Sequence, residues 1–530
     1  MSLLFILSSY FENWASIIPV LLIIYVANFY YNYFTRPNPL PGPIPIPILG
    51  TVHIIGINPY LWYINNIEKA GTIWEFYIGH QRQLVVNHAK HLEKIYKPTP
   101  KFFERMELPS LEKFGVLKGL IFNNNYSAWH RNRKFVAPVL ASPKFLRGFV
   151  ISIQKLFKES ENRWKPVIKN GIEFDFSVWI KCFTTDITIH HVTKQPSYSL
   201  ASFDTNNEIV QSEQVRKSLN FTNAVIGFIT TATYLLFIPS FVNKYIPGFR
   251  SFKEKCDRSV KYMNDTIIDI IEKRKKELEE GAEIEPDLLD HLLIAHTPRD
   301  PDYKEYDQIV PMKAYEIKAI LWDILMAGVD TTGNTFSFLV YNVAKNPKIL
   351  AKIHKEIEQV FGLDPNNEFT LEKLENCRYI EALVKESLRH ITIAPLTLKV
   401  LEGEENVAGY NWPNGTRFWI DHQTILNNPD YWNDPEIFNP DRFLSKEYGG
   451  TFEFSNMQKN AYSPFGGGIR ICPGKFMAIN EIKALTVLFY RKYNVELVKN
   501  NEKIKYQFYG VNQVYDLQVR ISLKDISSFP

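Results

Sequence analysis

The 530-residue chain is 45% hydrophobic and 14% aromatic, which excludes a disordered polymer, and its net charge of only +4, with basic and acidic residues interspersed, gives no support to nucleic-acid binding. Cysteines stand only at 182, 256, 377 and 472, too sparse for a disulfide framework or a zinc site, so a reducing compartment is expected. The length suits one large, interlocked, mainly helical domain with a smaller β region, behind short N-terminal segments.

From Asn13 to Thr35, 23 residues carry no charge. A helix of roughly 34 Å there would span a hydrocarbon core of about 30 Å. Trp14 at one end and Tyr30, Tyr31 and Tyr33 at the other suit the two interfaces. Residues 1–35 therefore read as a single transmembrane anchor, uncleaved because no basic n-region precedes the run. Alternating prolines from Arg36 to Pro47 predict a stiff, extended hinge over residues 36–50. Thr72–Ile78 and Gln83–Asn87 read as a hairpin around Gly79-His80, on the N-terminal side of the chain. Trp129 and Arg133, four residues apart, share a helical face ahead of the hydrophobic run from Phe135 to Leu140. Ser218 to Asn243 is again uncharged, but threonines, asparagines and Pro239 lower its hydropathy. An apolar lid dipping into a membrane surface is expected there rather than a second span. Arg250 to Leu278 reads as an amphipathic helix with a solvated charged face.

A helix of roughly 50 Å is predicted from Met312 to Lys345, ended by Asn346-Pro347. Ile317, Leu321, Ile324, Gly328, Thr331, Thr335 and Phe338 recur on one of its faces. Gly328 offers little bulk where a flat cofactor approaches, and the Thr331 and Thr332 hydroxyls are expected to open a local bulge by competing for backbone carbonyls. Asp330 beside Thr331 pairs an acid with an alcohol, a set able to relay protons. Glu386 and Arg389 lie at i and i+3 on one helical face, a turn follows at Asn411–Thr416, and Phe438–Phe443 carries Arg442. Near the C-terminus, Phe465-Gly466-Gly467-Gly468-Ile469-Arg470-Ile471-Cys472-Pro473-Gly474 surrounds a cysteine with glycines, a phenylalanine and an arginine. A thiol becomes a metal ligand only as the thiolate, which backbone N–H donors and positive charge favour. Gly466, Gly467, Gly468 and Gly474 are expected to use positive φ, bringing N–H groups to the sulfur of a ligand to haem iron. Phe465 would shield that sulfur, and Arg470 would pair with a propionate.

The ten-residue pattern F-x-x-G-x-R-x-C-x-G resembles the haem-binding signature of the cytochrome P450 family, and the other segments occur in that family's order. The resemblance implies a P450-like fold in which residues 51–530 form a haem-thiolate catalytic domain, with haem b on Cys472. It implies a Glu386–Arg389–Arg442 network bracing the haem segment, and Trp129 and Arg133 reaching one propionate. Where many relatives place an arginine or histidine near the following strand, this chain has Lys399, a point charge without the planar fork. The implied activity is monooxygenation: one atom of O2 enters a lipophilic small molecule such as a sterol or fatty acid, with protons fed by Asp330 and Thr331. Electrons would come from NADPH through a separate flavoprotein reductase, docked on Arg131, Arg133, Lys134 and Lys475. The implied location is the endoplasmic reticulum membrane, with the catalytic domain cytosolic. A haem-thiolate isomerase or dehydratase, or a haem-binding sensor without turnover, are the rival readings, the first disfavoured by Asp330-Thr331.

Overall fold

The computed structural model describes residues 2–55, 65–66, 70–105, 109–203, 212–237, 245–285, 287–300, 310–444 and 460–524. Its longer helices are α1 (Ser2–Phe34), α2 (Tyr126–Ala141), α3 (Pro143–Lys169), α4 (Phe176–Thr193), α5 (Glu213–Phe237), α6 (Pro247–Glu279), α7 (Ala314–Lys345), α8 (Pro347–Phe361), α9 (Arg378–His390) and α10 (Lys475–Lys492). Their starts follow local chemistry. Asn125, Ser142 and Asp175 cap α2, α3 and α4 by accepting backbone N–H groups of Ala128, Phe145 and Ser177. Pro143 and Pro347 occupy first-turn positions where no N–H is needed.

α7 runs unbroken to Asn346 and is buried on nearly every side, packed against α4, α6 and α9. The Thr331 hydroxyl donates to the Ala327 carbonyl at 2.7 Å, yet the helix continues through it, so the expected bulge is not present. In α1 the window Ile17–Phe34 has a mean hydropathy of 1.5 and is largely uncovered by the rest of the protein, Tyr33 in the last turn being the buried exception. The helix Glu213–Leu236 is also long and apolar enough to cross a membrane, but Phe221, Val225 and Phe228 of α5 are buried within the protein.

The β structure is assembled from distant parts of the chain. β1 (Ile73–Ile78) and β2 (Gln81–Val86) form the expected hairpin, with Gly79 at φ 60° in its turn. β3 (Phe174–Asp175), β4 (Leu396–Val400), β5 (Glu405–Val407), β6 (Tyr410–Trp412), β7 (Arg417–Asp421), β8 (Tyr493–Leu497), β9 (Tyr506–Tyr509), β10 (Val511–Val514) and β11 (Gln518–Leu523) follow. The four-stranded sheet has the order β1-β2-β7-β4, so the hairpin is completed by strands more than 300 residues later. β2 runs parallel to β7, and β4 antiparallel to it with Lys399 opposite Phe418. The β region is therefore not confined to the N-terminal side. Alternate residues feed two apolar clusters: Ile73, Leu84 and Val86 on one face, Trp74, Phe76 and Val85 on the other.

Glu386, Arg389 and Arg442 come together. Glu386 takes two donors from Arg389, at 2.7 and 2.9 Å, one from Arg442 at 3.1 Å and the Asn439 N–H at 2.8 Å. The arginines spend their remaining donors on carbonyls of Leu426, Pro435, Asn433, Asp434 and Ile437. The side chains of Glu386 and Arg389 are fully buried. Removing one partner strands a buried charge, so Glu386→Ala or Arg389→Ala should lose about 3–5 kcal/mol in a denaturant titration and yield protein without cofactor. Parental stability and normal loading in either variant would remove the network from this role.

Candidate functional site

A cavity of about 480 Å³ is bounded by α7 on one side and the Phe465–Gly474 loop on the other. That loop is shaped by contacts at its glycines. Gly466 and Gly468 adopt φ of 71° and 67°, open to glycine at little cost. Gly467 and Gly474 do not use positive φ. Gly467 is extended, and a Cβ there would lie 2.4 Å from the Tyr96 ring, so close packing excludes a side chain. Gly474 instead caps α10 and donates its backbone N–H to the Cys472 sulfur. The Cys472 N–H donates to the Phe465 carbonyl at 3.0 Å, closing the loop, and Phe465 itself lines the cavity.

Burial is the largest influence on the Cys472 thiol and pushes it up; the Gly474 N–H and then Arg133, Arg105 and Lys475 pull it down. The protein's own groups thus oppose the burial of a thiolate without outweighing it, and a metal cation would supply the missing charge. Cys182 and Cys377, buried among apolar groups, are pushed up to about 12 and have the character of inert core residues.

Around the same cavity stand Arg105, Arg133, Lys399 and Arg470. Arg470 donates to the carbonyls of Phe103, Leu120 and Asn123, and its guanidinium lies over the rings of Phe103 at 4.1 Å and Trp129 at 5.0 Å. Burial, then the neighbouring Arg105, lowers it to about 8, with Asp323 acting against them. Burial also lowers Lys399 well below the usual range, and the charges acting on it are those of Arg105 and Arg470. Arg105 donates to the Arg470 carbonyl at 3.1 Å while its buried Nε has no partner. These four basic side chains outnumber the two carboxyl groups of the cavity wall, Asp323 and Glu481, both pushed up by burial, so the site is short of negative charge. A flat cofactor with two carboxylates beside the Cys472 sulfur fits it: these residues suit haem, with Lys399 and Arg105 both within the cationic wall.

Arg105 and Asp323 were not singled out by the sequence. Arg105 belongs to no periodic element, and Asp323 is one acidic residue in a long helix. The Asp323 carboxylate accepts the Leu120 and Ile121 N–H groups, and Gly119 must lack a side chain because a Cβ would lie 2.2 Å from that carboxylate. Burial pushes Asp323 up to about 7.

On α7, Gly328, Thr331, Thr332 and Thr335 line the cavity. A Cβ at Gly328 would strike Thr188 of α4 at 2.8 Å, so its small size serves the packing of the two helices. Asp330 points elsewhere: it is fully buried behind the helix, accepting from Asn334 at 2.9 Å and Gln513 at 2.8 Å, with the Lys181 ammonium 4.0 Å away. Burial raises its pKa, against the pull of Lys181, Asn334 and Gln513. Adjacent helical residues differ by about 100° in direction, which is why the acid and the alcohol face different sides. Trp129 and Arg133 of α2 both reach the cavity, as do Phe122, Ala394 and Thr397. Arg131 is held by Glu316 at 2.7 Å, leaving Lys134 as the exposed cation of that helix turn. Phe228, Ile229, Ala232 and Leu236 of α5 turn into the cavity rather than outward, so this face is a cavity wall; residues 238–243 of the expected lid lie outside the described residues.

The family model for cytochrome P450 matches residues 40–514. Tabersonine 16-hydroxylase 1 of Catharanthus roseus is 28% identical over 495 residues, covering 89% of each chain. Probable cytochrome P450 508A1 of Dictyostelium discoideum is 26% identical, covering 84% of this chain and 85% of its own. The 3,9-dihydroxypterocarpan 6A-monooxygenase of Glycine max is 24% identical, covering 92% and 93%. With the cysteine loop, the cationic wall and the long threonine-bearing helix gathered on one cavity, this chain belongs to the cytochrome P450 family and is a cytochrome P450 monooxygenase.

Proposed function

We propose that this enzyme is a membrane-anchored, haem-thiolate monooxygenase that inserts one atom of O2 into a lipophilic small molecule, using NADPH electrons delivered by a separate reductase. The supporting observation is a cavity of about 480 Å³ touched by Cys472, by Thr331 and by an apolar wall from α5. The relatives' names support a small organic substrate: one is named for hydroxylating tabersonine, another for oxygenating a pterocarpan. Haem, when bound, would supply the activation of dioxygen, and the Cys472 thiolate would lend it the electron density that favours O–O cleavage.

In this reading the chain's own residues divide the work. Cys472 holds the iron, with the Gly474 N–H steadying the sulfur. Trp129, Arg133, Arg470, Arg105 and Lys399 hold the propionates. Thr331 keeps a hydroxyl at the cavity, and Asp330 is the acid next to it in sequence, held behind the helix. To feed Thr331, the Asp330 carboxyl would have to leave its Asn334 and Gln513 partners. Phe228, Ile229 and Leu236 exclude water and receive the apolar substrate. Lys134 and Lys475, on the cysteine side, meet the acidic face of the reductase. In the same reading α1 is the anchor, the membrane is that of the endoplasmic reticulum, and the catalytic domain lies in the cytosol.

Substrate-dependent NADPH consumption with added reductase tests the reading, since an isomerase or a sensor consumes none. The reduced, carbon monoxide-treated Cys472→Ala variant should lack the parental Soret band; an undiminished band at the parental wavelength would overturn the ligand assignment. In Thr331→Ala, reducing equivalents should divert to peroxide, with product formation falling on the order of 10² as for other lost proton donors. Unchanged coupling with the native substrate removes Thr331 from the relay. Three of the sequon asparagines, Asn125, Asn220 and Asn414, are exposed, so a lumenal domain would be glycosylated. The expected result in cells is no mobility shift on glycosidase treatment, and a shift would place the domain in the lumen.

A further inference from the structure

The segment between the membrane helix and the first strand is bonded to that strand rather than left as a free tether. Glu75 of β1 donates its N–H to the Pro41 carbonyl at 2.9 Å, Gly50 bridges to Ile78, and Thr51 exchanges backbone and hydroxyl bonds with Tyr77. Gly42 is required at the crossing, since a Cβ there would lie 2.0 Å from the Glu75 carbonyl. The side chain of Glu75, 2% exposed, ties the two ends together. It accepts from Arg36 at 2.6 Å and from Arg82 at 2.6 Å. Arg36 lies 4.0 Å over the Tyr33 ring in the last turn of α1 and donates to the Tyr33 carbonyl, while Tyr33 meets Tyr77 of β1 edge-on at 5.7 Å. Arg82 donates in turn to the carbonyls of Pro37 and Asn38.

The same segment carries an outward apolar surface. Ile44, Ile48, Leu49 and Ile54 are 37–56% exposed. Ile48 has φ 73°, a left-handed conformation that a β-branched residue adopts only when its surroundings impose it, and the Ile46–Gly50 bridge does so.

We propose that Glu75 locks α1 and the catalytic domain into one rigid body, and so holds the surface of Ile44, Ile48, Leu49 and Ile54 against the lipid of the bilayer that α1 enters. This rests on the membrane-anchor reading. The occupant is lipid because the surface is continuous in the chain with the last turn of α1, and because the lock gives that turn no freedom to swing it away. Breaking the lock restores the independent motion that a short linker otherwise allows.

The test is the linear dichroism of the haem band of the full-length, haem-loaded protein in oriented bilayers, with carbonate extraction as the control for α1. Parent protein should resist extraction and show clear dichroism. Arg36→Gln, which leaves Glu75 paired with Arg82, and Glu75→Gln should both keep haem and resist extraction, yet lose about half or more of the dichroism as the domain gains independent motion. Ile48→Asp with Leu49→Asp, which keeps the ion network, should lower it as well. Parental dichroism in both lock variants overturns the lock, and parental dichroism in the aspartate pair overturns the lipid contact. A parent released by carbonate overturns the anchor reading and this proposal with it, whereas a parent that resists extraction without dichroism overturns the lock alone.

Discussion

Arg105, Arg133, Lys399 and Arg470 gather around one cavity, the last two buried and the first two partly so, and Asp323 acts against the crowding at Arg470. Burying like charges together is costly, and the fold tolerates it by lending them carbonyl oxygens: those of Phe103, Leu120 and Asn123 to Arg470, and that of Arg470 to Arg105. The arrangement is completed by a dianionic partner. Two of these cations, Arg105 and Arg133, also pull the Cys472 thiol towards its charged form, so the cationic wall and the sulfur are coupled through them.

The scaffold behind this wall is rigid where the chemistry needs registry. Glu386 binds α9 to the segment holding Arg442, which precedes the cysteine loop. Asp323 and Arg470 grip Leu120 from opposite sides, one by its N–H and the other by its carbonyl. The wall carrying Phe122 is thereby tied both to the long helix and to the cysteine loop. Glu75 repeats the device beside α1, one buried carboxylate between two arginines from different segments.

The long helix shows how neighbours in sequence take different work. Thr331 lines the cavity, whereas Asp330 is held at its back by Asn334 and Gln513. Adjacency in sequence therefore does not bring the acid and the alcohol to one face of the helix.

Much of this was legible in the residues. Local chemistry is written in short patterns: the glycines and arginine around Cys472, the 3.6-residue periodicity of α7, the uncharged run of α1, and the amphipathic α6 all act within a few residues of themselves. Which glycines needed positive φ was not legible, because Gly467 is required by the ring of Tyr96, more than 300 residues away in the chain. Gly328 likewise answers to Thr188, and Arg105 enters the site only once the fold brings it under Arg470. The sheet's pairing of β2 with β7 was hidden for the same reason. Sequence alone determined α6, α7, the apolar helix α1 and the loop around Cys472, since each rests on contacts within a turn or two. Tertiary structure alone decided which charges are buried together and which way each side chain faces, because burial and long-range pairing are properties of the packed chain.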